Sequence, residues 1–232
     1  MQDVILPQPF LKPFPDPRTA FADPVARYER RLNALVSIDL SAVSQDLSGW
    51  IHLVSPIEPY DGLLGLDTTE YWGPYLQQNW IGFRLTPEHR YELLGDFRFF
   101  QIEDEVSQAN LLQEYSLEKH YHDQHASFAE KKAQYLATGQ IGKIPQRGGS
   151  SPMPALSYLG GEAPAINLVW SNVPGAAFTY SDADKAPRTA DGRLYRFIAA
   201  VPGWHYRSAG ADAILLYYDP VERVALETFV FA

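Results

Sequence analysis

No cysteine occurs anywhere in the 232 residues. That absence removes disulfides, thiolate zinc sites, iron–sulfur ligation and a cysteine nucleophile, because each of them needs sulfur. Long apolar runs are missing too, since proline or charge interrupts every stretch before the roughly 18 to 20 residues that a membrane helix requires. Gly-x-Gly-x-x-Gly and Gly-x-Ser-x-Gly are both absent, so neither a Rossmann nucleotide site nor a hydrolase nucleophile elbow is indicated. Gly139-Gln140-Ile141-Gly142-Lys143-Ile144 has the wrong glycine spacing for a phosphate cradle and an isoleucine where Ser or Thr would meet magnesium. No motif implies a cofactor. Near the start, Asp3 stands where a signal peptide carries positive charge, and Pro7 and Pro9 interrupt what would be its apolar helix. A cytoplasmic location without membrane association is therefore the expectation.

Positive charge is scarce as well: 19 Lys and Arg face 28 Asp and Glu, a formal net charge of −9. Its position is more informative than its total. Residues 37–105 hold three arginines (Arg84, Arg90 and Arg98) against twelve acids, while the rest of the chain is close to balanced. Such a segment repels nucleic acid, whose binders neutralise phosphates with Lys and Arg, and attracts a basic protein.

What is present is apolar and aromatic. With 46% hydrophobic and 13% aromatic residues, the chain is long enough to bury one core without metal or disulfide support. Six prolines among residues 1–24 predict an extended N-terminal arm over 1–23, with Ile5, Leu6, Phe10, Leu11, Phe14 and Phe21 lying along the body. Asp23-Pro24 reads as a helix start, and Tyr28, Leu32, Leu35 and Val36 recur at near-helical spacing to about residue 36. Strands are predicted at 49–54, 79–85 and 97–102, with a short helix from Thr86 to Gly95 between the last two. Residues 107–138 carry the clearest helical stripe, through Leu117, Tyr121, Phe128 and Tyr135. The last third reads as strands at 165–170, 176–180, 194–201, 213–218 and 224–231 separated by turn chemistry. The fold class is α+β: mostly antiparallel sheets, one long helical segment near the middle, and the extended proline-rich N-terminal arm. The chain forms one domain made of an acidic α+β half (24–141), a loop or linker (142–157) and a β-meander half (158–232).

Three clusters carry candidate chemistry. The loop from Ser55 to Gln78 combines glycines and prolines with Tyr71, Trp72 and Tyr75, and with the acids Asp61, Asp67 and Glu70, as a recognition surface for a basic partner would. Glu118, His122 and His125 fall on one patch of a helix, a carboxylate and two imidazoles that suit a borderline metal. Their spacing departs from the His-Glu-x-x-His zincin pattern, and a hydrated helix face is the preferred reading. Asp96, Glu103 and Glu105 could pair for glycoside hydrolysis, but acids at strand ends are usually solvated, and no catalytic residue is assigned.

Leu159-Gly160-Gly161-Glu162-Ala163-Pro164, Phe197-Ile198-Ala199-Ala200-Val201 and Ile214-Leu215-Leu216-Tyr217-Tyr218-Asp219-Pro220 resemble landmarks of the YwqG-like family of uncharacterised bacterial domains, in the same order. The resemblance covers about a third of the chain. It implies an α+β fold without established chemistry, of a kind often encoded beside secreted toxins as an immunity-type protein is expected to be, and it transfers no functional residue. The leading expectation is a non-catalytic binding protein that recognises a basic protein partner through an acidic surface, of immunity type. The alternative is an enzyme, or a small-ligand or sugar-binding protein, with a pocket between the two halves.

Overall fold

Two antiparallel sheets meet face to face over a shared apolar core. The computed structural model describes residues 3–58, 63–103, 117–146, 149–166, 168 and 173–231. The first sheet runs β1 (Leu11–Pro13), β2 (Leu32–Asp39), β3 (Trp50–Pro56), with α1 (Pro17–Ala20) and α2 (Val25–Glu29) in the connection from β1 to β2. The chain then forms β4 (Leu76–Gln77), β5 (Trp80–Leu85) and β6 (Tyr91–Leu93). The long helix α3 spans Leu117–Thr138, and the hairpin β7 (Lys143–Gln146) with β8 (Gly149–Pro152) follows it. Last come β9 (Tyr158–Leu159), a hairpin of β10 (Phe178–Ser181) and β11 (Ala186–Thr189), then β12 (Arg196–Val201), β13 (Ala213–Asp219) and β14 (Val224–Val230). The second sheet has the order β4-β5-β14-β13-β12-β9, with β6 also pairing to β5.

The main core includes Val36, Ile38 and Leu53 of the first sheet, Phe83, Leu216 and Phe229 of the second, and Leu117 and Tyr121 of α3. On its other face, the second sheet packs Trp80, Tyr217 and Leu226 against Phe178 of the β10–β11 hairpin. The α+β class, the antiparallel sheets and the long central helix are therefore as the sequence predicts. No described helix is long and apolar enough to cross a membrane.

Other elements differ from the expectation for identifiable reasons. The arm is largely built into the fold: Val4 bridges Leu156, Leu11–Pro13 pair with β2, and α1 interrupts the extended run. Pro24 takes the N-cap of α2 and the helix stops at Glu29, because Leu32 to Ile38 are buried on both faces as a strand. In a strand buried on both faces the apolar residues need not alternate, and here they mimic helical spacing. Phe97–Phe99 and Gln101–Glu103 are 3₁₀ turns, the first started by the Asp96 carboxylate accepting the Arg98 N–H at 2.9 Å. The helix expected from Thr86 is a turn leading into β6. Described residues of the expected linker form the β7–β8 hairpin and bury Ala155 and Leu156 in the main core. The expected start of the long helix at 107–116 lies outside the described residues, as do Asn167, Val169 and Trp170 of an expected strand.

Candidate functional site

Strand register creates the most chemically distinctive group. Lys12 pairs with Ser37, and Ser37 with His52, so the three stand in a row across β1, β2 and β3. Paired residues share one face of a sheet, while the neighbouring pairs Leu11, Ile38 and Ile51 point into the core on the other. Ser37 and His52 are only 2% and 1% exposed, and their Oγ and Nδ1 atoms are 2.8 Å apart.

The tautomer follows from the other ring nitrogen. His52 Nε2 lies 2.7 Å from the carbonyl oxygen of His89, which can only accept, so Nε2 carries the proton. Nδ1 is then bare and accepts from the Ser37 hydroxyl. Burial lowers the His52 pKa to about 4, further depressed by the charges of His89 and Lys12 and opposed by the bond to the His89 carbonyl. The imidazole is therefore neutral at physiological pH.

The surroundings hold this pair rigidly. The Tyr91 hydroxyl donates to the His52 carbonyl at 2.5 Å and accepts the His52 N–H at 3.3 Å, while its ring stacks on Phe83 at 4.6 Å. The His89 carbonyl is aimed by a tight turn in which His89 N–H donates to the Thr86 carbonyl at 2.9 Å. At Gly49, with φ +87°, a Cβ would stand 1.9 Å from His89 Cε1, so the ring of His89 seats only against glycine.

Ser37 and His52 form part of the lining of a cleft of about 480 Å³, together with Lys12, Arg18, Trp50 and Arg90. Its size falls within the range of small-molecule sites. Lys12 Nζ lies 3.6 Å over the Trp50 ring, and no ion pair joins it to a described carboxylate. Arg18 is bound to Asp16 at 2.8 Å, and Arg90 reaches Asp23 at 3.5 Å. Three cations thus surround the cleft against Asp16 and Glu88, in a chain whose net charge is −9.

The sequence-predicted residues are placed differently. Asp67 and Glu70 are exposed on the 3₁₀ turn Leu66–Tyr71, where Asp67 also accepts from Gln101 Nε2 at 2.6 Å. Tyr71 ends that turn beneath the Arg98 guanidinium at 4.7 Å, and Trp72 donates from Nε1 to the Gly65 carbonyl at 2.8 Å. Tyr75 is apart from them, half-buried against the second core near Phe178. Asp61 and Glu105 lie outside the described residues. Several acids of the 37–105 segment are already engaged: Asp46 with Arg196, Asp96 with Arg98, Glu103 with Arg30 and Arg31.

Glu118 and His122 are exposed on α3, and His125 donates to the Arg30 carbonyl at 3.3 Å instead of joining them. Among the described residues no group of three His, Asp or Glu is placed to hold a metal ion. Glu58 is buried beneath α3, where its carboxylate accepts from Gln101 N–H at 2.9 Å, Ile102 N–H at 3.1 Å and the Tyr121 hydroxyl. Burial nevertheless raises its pKa to about 7. A second cleft, of about 590 Å³, does lie between the halves, with Val43, Ser44, Glu162, Lys185 and Arg196 among its walls. It contains no serine–histidine pair.

Sequence reasoning missed Ser37 and His52. Their available signal was a polar residue between two apolar ones inside each strand, at Val36-Ser37-Ile38 and Ile51-His52-Leu53. No protein-family model matches the chain, and neither a curated protein nor a solved structure matches it.

Proposed function

We propose that the protein binds a small organic anion, a carboxylate or phosphate attached to an apolar or aromatic body, in the cleft above Ser37 and His52. The carrying observation is the in-register row of Lys12, Ser37 and His52 opening into that cleft. Lys12 and Arg90 supply the charge, Trp50 supplies a flat apolar wall, and the Ser37–His52 floor is neutral and fully hydrogen-bonded. Isothermal titration with phenyl phosphate and benzoate checks this, with benzyl alcohol as the neutral comparison. The anions should bind saturably and the alcohol should not. Lys12→Met should weaken the anions by about tenfold or more, the usual loss when a charged hydrogen bond is removed. Equal affinity in the variant, or no saturation by either anion, contradicts the reading.

The exposure of Asp67 and Glu70 on one turn supports a second reading, a docking site for a basic protein. Association would then be fast and salt-sensitive. A low-salt pull-down should recover a stoichiometric basic partner that the double variant Asp67→Lys, Glu70→Lys loses. Recovery by the variant at the same level removes this reading.

A further inference from the structure

We propose that Ser37 is a nucleophile with His52 as its general base, and that the cleft hydrolyses esters of small acids bearing a second, anionic group. The choice of substrate rests on the anion-binding reading of the same cleft; the nucleophile does not. A serine hydroxyl is activated when it donates to a bare imidazole nitrogen whose other nitrogen is fixed by a third group. Here the hydroxyl lies 2.8 Å from His52 Nδ1, and Nε2 is fixed by the His89 carbonyl at 2.7 Å. The ring nitrogens exchange their usual roles and a carbonyl stands where a carboxylate often does, but the geometric relation of the three groups is the same. Lys12 is the neighbour of Ser37 across the β1–β2 register, so a charged end of the substrate held by Lys12 and Arg90 leaves its ester near Oγ.

The step balances with water as co-reactant. Ser37 Oγ attacks the ester carbonyl carbon, and its proton passes to His52 Nδ1. The bond to the leaving alcohol oxygen breaks, and that oxygen takes the proton from Nδ1. Water then attacks the acyl carbon while giving a proton to Nδ1, and Ser37 Oγ departs and recovers it. The groups facing His52 are Lys12 on β1, Ser37 on β2, His89 in the turn and Tyr91 on β6.

Phenylmethylsulfonyl fluoride carries no charge and tests the serine apart from the anion subsite. The intact protein should gain one sulfonyl group, mapped to Ser37 by peptide mass spectrometry, and the folded Ser37→Ala variant should gain none. The labelling rate should fall as His52 is protonated, with a midpoint near pH 4. The 4-nitrophenyl monoester of terephthalic acid, whose para-carboxylate cannot reach its own ester, should turn over about tenfold faster than 4-nitrophenyl benzoate, and Lys12→Met should abolish that preference. No modification of wild-type Ser37, or ester hydrolysis undiminished in Ser37→Ala, overturns the nucleophile. Labelled Ser37 with no preference for the charged ester overturns the substrate class and, with it, the anion reading alone.

Discussion

Deleting Val224 to Ala232 should leave a chain without a folded core. In the second sheet β14 lies between β5 and β13, so its loss strips the partner from both neighbours at once. The hairpin of β14 with β13 by itself accounts for unfolding of the C-terminal half, and the pairing of β14 with β5 extends the damage to the other half. The Glu227 carboxylate of β14 accepts the Val54 N–H of β3 at 3.0 Å, which ties the two sheets together in the interior. Val224, Leu226 and Phe229 are each at most 2% exposed. At about 1.5 to 3 kcal/mol for each buried side chain of that size, their removal alone approaches the 5 to 15 kcal/mol that a typical domain has in hand. Near-UV circular dichroism and amide proton dispersion check this, and a soluble truncated chain with the full-length near-UV spectrum contradicts it.

Acidification from about pH 7 to about pH 5 should shift the stability of two variants in opposite directions relative to wild type, because two buried groups act in opposite directions. His52 is lowered from 6.5 to about 4 by burial, so its contribution is present above about pH 6.5 and is lost as pH falls through about 4. Glu58 is raised from 4.5 to about 7, so its contribution is present below about pH 4.5 and is lost as pH rises through about 7. Each shift changes stability by about 2 kcal/mol between about pH 7 and about pH 5, with opposite sign. Glu58→Gln should therefore lose about 2 kcal/mol relative to wild type over that interval, and His52→Asn should gain about as much. The remaining buried groups, His120, His125 and His205 shifted downward and Glu227 upward, are common to all three proteins and cancel in the comparison. Urea unfolding at the two pH values reads these slopes, and variants that run parallel to wild type would show that neither group is held as the structure has it.

The parts of the fold that local chemistry determines were readable from sequence. The β13–β14 hairpin is an example: its apolar strands flank Asp219-Pro220, and Asp219 Oδ1 accepts the Val221 N–H at 3.0 Å within the turn. The described part of the long helix was also readable, since its stripe of Leu117, Tyr121, Phe128 and Tyr135 is the face turned to the core. Residues 32–38 and 97–102 were not, because apolar spacing alone does not separate a doubly buried strand from a helix, or a capped 3₁₀ turn from a strand. The acidity of residues 37–105 was legible as composition but not as surface. The partner of Asp46 is Arg196, 150 positions away, which only the packing of the two halves brings near. The site was hidden for the same reason. Ser37 and His52 are 15 residues apart, His52 and His89 are 37 apart, and no motif encodes the register that joins them.

The central claim, that the cleft over Ser37 and His52 is where this protein meets its ligand, is tested most directly by amide chemical-shift mapping during a titration with phenyl phosphate. Saturating shifts concentrated at Lys12, Ser37, Trp50, His52, His89 and Arg90, and lost in Lys12→Met, are the predicted result. Saturating shifts confined to another surface, or shifts at these residues that persist unchanged in Lys12→Met, would contradict it.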